Sequence, residues 1–225
     1  MKKQYLIILV AVLAATIALS STLLFIAPSF SMPTINDSWL IAYNAKNTIG
    51  DDLKTAEWVQ AKFGGTLVDI GDDTFNFNAF GQNIFIIGGS KSLAEQAGEW
   101  IGLKPEWYGV KTPDTYPAGK IYWRPDSSTS IYPVHMVTPT TDYTLDDNHD
   151  YGVICKGYDY ELRRWIVVCI GYSGYCTAYG AKLICTQWNA AMSHTYIIYQ
   201  CTEHGGSNPT TWTPEQFDGV LIEQG

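Results

Sequence analysis

Ser173 and Cys176, within Gly171-Tyr-Ser-Gly-Tyr-Cys-Thr177, and the histidines His135, His149, His194 and His204 hold most of the nucleophile and general-base chemistry of this sequence. Acyl transfer needs a hydroxyl or thiol whose proton passes to a neighbouring imidazole. The turn departs from the G-x-S-x-G elbow, since Tyr175 stands where the closing glycine belongs, and no spacing ties a histidine to it. An extracellular serine or cysteine hydrolase around Ser173 and Cys176 is therefore the alternative function, not the leading one.

Two acidic groups offer hard oxygen ligands: Asp69, Asp72 and Asp73 with Asn76, and Asp142, Asp146, Asp147 and Asp150. Neither follows the spacing of an EF-hand loop, and solvated acidic loops are the expectation, with calcium the cation they would suit. The glycine turns Gly88-Gly89 and Gly171-Tyr-Ser-Gly174 open expected helices but match neither the P-loop nor the dinucleotide fingerprint. They read as tight β-α turns, so no cofactor and no metal is assigned.

Cys155, Cys169, Cys176, Cys185 and Cys201 all fall in the carboxyl-terminal part, with no C-x-x-C pair, which argues against zinc. In an oxidising compartment they allow two bridges and one leftover thiol, with connectivity open. Buried as small apolar side chains, they need no bridge. Asn36-Asp37-Ser38 is the sole N-x-[ST] acceptor, which makes Asn36 a possible glycosylation site.

These groups must be positioned by a mixed α/β core. Trp39 to Tyr43 reads as a buried strand, and Asp51 to Phe63 as a helix with Leu53, Ala56, Val59 and Phe63 on one face, Asp51 or Asp52 at its start and Gly64-Gly65 at its end. Thr66 to Ile70 follows as a strand, which gives a β-α-β crossover between parallel strands. Asn83 to Ile87 is a strand apolar enough for burial on both faces, and Lys91 to Ile101 a helix with Leu93, Ala97 and Ile101 inward.

The middle segment, Lys104 to Asp150, is β-rich, with short strands at Lys120 to Trp123 and Tyr132 to Val137. Tyr151 to Lys156 and Trp165 to Ile170 predict a hairpin. A helix from about Thr177 to Ala190 follows, then strands at Thr195 to Tyr199 and Phe217 to Glu223. The fold class is α/β: a mixed sheet with crossover helices and a β-rich middle segment, behind one transmembrane helix.

That helix is read from Tyr5 to Ala27, about 23 residues without a charge, which at 1.5 Å per residue cross a hydrocarbon core about 30 Å thick. A cleaved signal has a shorter apolar region ending in small residues spaced for cleavage, and no clear A-x-A follows here. Lys2 and Lys3 precede the run and no basic residue follows until Lys46, so residues 1–4 are expected in the cytoplasm. Residues 28–37 form a stalk rich in Ser and Pro, and residues 38–225 an extracellular domain. A pilin-like filament subunit is a further alternative, weakened by the lack of an acidic residue early in the apolar run.

The chain has 225 residues, 46% hydrophobic and 16% charged, which suits a packed core rather than disorder. Its net charge is −8, and Lys2 and Lys3 are two of only 14 basic residues, so the outer part is more acidic still. Such a surface is a poor general partner for nucleic acid. With 15 tyrosines and 8 tryptophans, glycan or protein contacts are conceivable, although strands favour these residues anyway.

The order of WLIAYNAKNTIGDDLKTAEWVQAKFGG, NIFIIGGSKSLAEQAGEWIG and RRWIVVCIGYSGYCTAYGAKLI resembles the α/β ectodomain segments of archaeal S-layer-type surface proteins. There an apolar strand ending in Gly-Gly leads to a helix, and a later strand ends in a Gly-Tyr-x-Gly turn. The matching positions are Ile84 to Gly89 and Val167 to Gly174, in patches over half the outer region. Ser90 and Lys91 to Ser92 replace the Pro and Asn that often follow in the family, and the chain is shorter than a lattice-forming subunit. The resemblance implies a cell-surface structural or accessory role in an archaeon, without catalysis, with the membrane and other envelope proteins or further copies as partners.

Overall fold

The computed structural model describes residues 32–45, 51–71, 81–88, 106–107, 121–124, 135–146, 149–159, 161–203 and 205–225. The chain divides after Pro33 into two units, and the second, Thr34–Gly225, holds both sheets. Among the described residues no helix is long and apolar enough to cross a membrane. The expected span at residues 5–27 lies outside the described residues, as does the expected helix Lys91 to Ile101.

Short apolar runs separated by turn residues produce the first half of the large sheet. β1 (Leu40–Tyr43) pairs in parallel with β2 (Thr66–Asp69) on one side and with β3 (Ile84–Ile87) on the other. The connection from β1 to β2 runs through α1 (Asp51–Phe63), as the β-α-β reading requires. Gly64 and Gly65 end α1 at φ +81° and +103°, a left-handed conformation that a Cβ would strain. The buried stripe of α1 is Asp51, Asp52, Thr55, Ala56 and Val59. Leu53 and Phe63, expected inward, are only half-buried.

The small sheet is the part that the sequence pattern conveyed least. β4 (Glu106–Trp107), β5 (Tyr122–Arg124), β6 (His135–Val137) and β7 (Asp142–Thr144) make four short strands in that order. The β-rich middle segment is thus a second layer rather than an extension of the main sheet.

β8 (Asp150–Asp159) and β9 (Arg164–Gly171) form the expected hairpin, longer at both ends. Asp159 closes its turn: Oδ1 accepts the Glu161 and Leu162 N–H groups at 3.0 and 3.1 Å, and Oδ2 accepts the Nε of fully buried Arg164 at 3.0 Å. β9 runs parallel to β3, which joins the hairpin to the β-α-β unit. Asn83 locks this junction, since its carbonyl accepts the Leu40 N–H at 2.9 Å and its Oδ1 accepts the Trp165 N–H at 2.7 Å. After α2 (Gly174–Ala191), β10 (Tyr196–Glu203) pairs antiparallel with β8, and β11 (Asp218–Gln224) pairs antiparallel with β10. The seven-stranded order is β11-β10-β8-β9-β3-β1-β2.

Alternation along the strands divides the core between two faces. Leu40, Ala42, Ile84, Ile86, Ile166 and Val168 pack with Ile121, Met136 and Leu145 of the small-sheet side in one cluster. The intervening residues, such as Ile41, Phe85, Val167 and Cys169, are equally buried and face the layer of α1 and α2. The result is three layers: helices, large sheet, small sheet. Each buried aliphatic side chain contributes about 1.5–3 kcal/mol. Fully buried Trp39 meets Trp188 of α2 edge-on with centroids 6.3 Å apart, and Trp188 also packs on Phe63 of α1 at 5.5 Å.

Candidate functional site

Ser173, Cys176, Asp150, Asp51 and Asp52 gather at the end of the large sheet where β3 and β9 finish and α1 and α2 begin. α2 starts three residues before the expected Thr177, because Ser173 caps it: the Ser173 Oγ accepts the Cys176 N–H at 3.2 Å. Asp150, at the start of β8, holds that cap from the other side. Its Oδ1 accepts the Ser173 N–H at 3.2 Å, and its Oδ2 accepts the Ser173 hydroxyl. The serine proton thus lies toward a carboxylate, not an imidazole.

Cys176, fully buried, donates its thiol to the Asp150 carbonyl at 3.5 Å. Burial, reinforced by the Asp150 carboxylate, raises its pKa well above the ordinary thiol value. That is the reverse of what an activated nucleophile needs. His149 precedes Asp150 in sequence, but its Nδ1 lies 2.8 Å from Asp146 Oδ1 and its ring stacks on Tyr151. His135 is bound to Asp142 at 2.9 Å. His194 lines a shallow cleft of about 80 Å3 with Leu183, Ala190, Ile197 and Leu221, beyond a kink in α2 at Gln187. His204 lies outside the described residues. The structure therefore brings Ser173 and Cys176 together but places neither in hydrogen-bond contact with a described histidine.

Asp51 and Asp52, which the sequence offers as helix-capping groups, form a buried pair of carboxylates, 2% and 0% exposed. Asp51 Oδ1 accepts the Asp52 N–H at 3.0 Å, and a Cβ on Gly174 would stand 1.6 Å from Asp51 Oδ2. A Cβ on Gly88 would stand 2.5 Å from Asp52 Oδ2. The two glycine turns thus make room for carboxylates of α1. Burial raises the Asp51 pKa, although the N–H groups of the first helical turn oppose the shift.

Among the described residues, the acidic groups read as possible cation ligands do not converge. Asp69 Oδ1 accepts the N–H groups of Ala45 and Gly71 at 3.0 and 2.9 Å, while Asp142, Asp146 and Asp150 bind His135, His149 and Ser173 respectively. Asp72, Asp73, Asn76 and Asp147 lie outside the described residues. Among the described residues no three His, Cys, Asp or Glu side chains are arranged to hold a metal ion.

All five cysteines are free thiols in this structure; Cys155, Cys169, Cys176 and Cys201 are buried and Cys185 half-buried. Cys169 touches a feature the sequence did not disclose. The fully buried Tyr199 passes between Gly152 and Gly180, where a Cβ would meet its ring or hydroxyl at 2.4 and 2.2 Å, and its hydroxyl lies 3.6 Å from Cys169 Sγ. Asn36 is exposed, with its Oδ1 accepting the Ser38 N–H at 2.9 Å and hydroxyl at 2.6 Å, a compact turn that leaves the acceptor residue at the surface.

Comparison of the chain with protein-family models and with curated proteins finds no match.

Proposed function

We propose that this chain is a membrane-tethered structural or interaction module of the cell surface, S-layer-like in kind, with residues 1–4 in the cytoplasm and residues 38–225 outside. The observation that carries this reading is the uncharged run from Tyr5 to Ala27, preceded by Lys2 and Lys3. Its mechanism is tethering with lateral or partner contacts, not turnover.

Two features of the folded unit support it. The polar groups that suggested catalysis are engaged in holding backbone: Ser173 caps α2, Asp150 holds Ser173, and Cys176 donates to a carbonyl. The edge strand β11 leaves Val220, Leu221 and Ile222 exposed at 48%, 46% and 39%, the kind of apolar edge that lateral contacts bury. The resemblance to archaeal S-layer-type ectodomains points the same way.

The test is fractionation of cells producing the full chain. The chain is expected to sediment with the envelope and to stay there through an alkaline carbonate wash, which strips peripheral proteins. Recovery in the cytosol, or as a shortened soluble chain in the medium, overturns the reading.

A further inference from the structure

We propose that Cys176 and Cys201 are a disulfide pair, closed by exchange with a small-molecule disulfide such as oxidised glutathione, which staples the first turn of α2 to β10. Cys176 Sγ lies 3.5 Å from the Asp150 carbonyl oxygen. Asp150 and Cys201 face each other across the β8–β10 ladder. The Cys176 sulfur therefore sits over the rung to which Cys201 belongs. Cys201 lies two residues past Tyr199 and so on the same helix-side face of β10. Its thiol donates to the Glu203 carbonyl at 3.2 Å, so closing the pair requires it to leave that carbonyl by rotation about χ1.

The fold disfavours two competing pairs, Cys155 with Cys169 and Cys169 with Cys201. Cys155 packs with Val153 and Val168 in the small-sheet cluster. Cys169 faces the opposite way, 4.0 Å from the Thr177 carbonyl of α2. The sheet backbone stands between them. Cys169 and Cys201 lie on strands separated by β8, about 10 Å apart, beyond the reach of a disulfide. Cys169 is moreover in contact with the Tyr199 hydroxyl.

The chemistry balances within the thiol and disulfide pool. One cysteine thiolate attacks a glutathione disulfide sulfur, forming a mixed disulfide and releasing one glutathione thiolate. The second cysteine thiolate attacks the protein sulfur of that mixed disulfide and expels the other glutathione. Two electrons pass to glutathione, and the two thiol protons end on its released thiols. Because both thiols are buried in the folded unit, the exchange belongs to the folding chain, in which they ionise normally. The assignment of the pair does not depend on where the domain resides; the surface reading supplies only a compartment with an oxidant.

The test refolds the full chain, reduced and unfolded, into detergent micelles with oxidised and reduced glutathione. Free thiols are then blocked and the unreduced peptides are mapped by mass spectrometry. The expected product joins Cys176 to Cys201 and leaves Cys155, Cys169 and Cys185 blocked as thiols. Reductant should then lower the melting temperature by roughly 5 °C or more, and should leave the melting temperature of a Cys176→Ser, Cys201→Ser variant unchanged. A refolded chain with both thiols blocked, or with either joined to another cysteine, overturns the proposal. Because this readout uses purified protein, its outcome is separate from that of the envelope fractionation.

Discussion

The Tyr196 hydroxyl on β10 donates to Glu223 Oε1 on β11 at 2.7 Å. The other oxygen of the same carboxylate accepts the Tyr143 hydroxyl at 2.8 Å and the Thr138 hydroxyl at 2.9 Å. Tyr143 belongs to β7 of the small sheet and Thr138 to the turn between β6 and β7, so one carboxylate joins the edge of the large sheet to the second layer. Partial burial raises the Glu223 pKa, but the hydroxyl donors outweigh it and leave the group below its ordinary value.

Replacing Glu223 with Ala removes the shared acceptor of three hydroxyls. The expected cost is about 1–3 kcal/mol, read as a lower midpoint in urea unfolding. The pH dependence has a definite sign. A carboxyl with a lowered folded pKa stabilises fully above its unfolded pKa, and that contribution is lost as pH falls through the folded value. The difference in midpoint between wild type and Glu223→Ala is therefore expected at pH 7 and should shrink as acid protonates Glu223.

Alkaline titration reports the tyrosines. Burial, chiefly, pushes Tyr143, Tyr179 and Tyr196 up to about 12, and Tyr199 well above its ordinary value. A group with a raised folded pKa contributes stability that is complete below its unfolded pKa near 10 and disappears as pH rises through the folded one. Absorbance at the phenolate band should show these four ionising late in the folded chain, while all 15 titrate together in urea.

Gly180→Ala tests the passage occupied by Tyr199. Alanine is the better helix former by about 1 kcal/mol. Its Cβ, however, would stand 2.2 Å from the Tyr199 hydroxyl and 2.5 Å from Cys169 Sγ. Overpacking of this kind costs about 1–3 kcal/mol, so the variant should be less stable despite the propensity gain. Tyr199→Leu should relieve part of that cost in a double-mutant cycle, and additive effects would show that the two positions are not coupled.

Ser173→Ala removes the cap of α2 and leaves the Asp150 carboxylate without its hydroxyl donor. The expected loss is about 1–2 kcal/mol, with envelope association unchanged. A loss of envelope association in a chain that still folds would contradict the structural role assigned to Ser173.

Local rules carried the first half of the domain into view. The apolar strand at Leu40, the helix from Asp51 and the Gly64-Gly65 stop all rest on signals a few residues wide, as does the hairpin around Asp159. Of the small sheet, the expected strands at Lys120 to Trp123 and Tyr132 to Val137 overlap β5 and β6, whereas β4 and β7 escape because strands of two or three residues carry too little periodicity and are completed by partners elsewhere in the chain. The helix expected from about Thr177 begins at Gly174 in the structure, because the Ser173 side chain caps its first turn. Glu223 meets Tyr143 across 80 residues, and Tyr199 uses Gly152 and Gly180 from two other elements. Such relations depend on tertiary approach, which periodicity does not encode.

The most direct test of the surface reading is external protease applied to intact cells producing the chain with a carboxyl-terminal epitope. The account predicts that the epitope is lost from intact cells while a cytosolic marker survives. An epitope that resists until the membrane is opened with detergent would place residues 38–225 inside and contradict it.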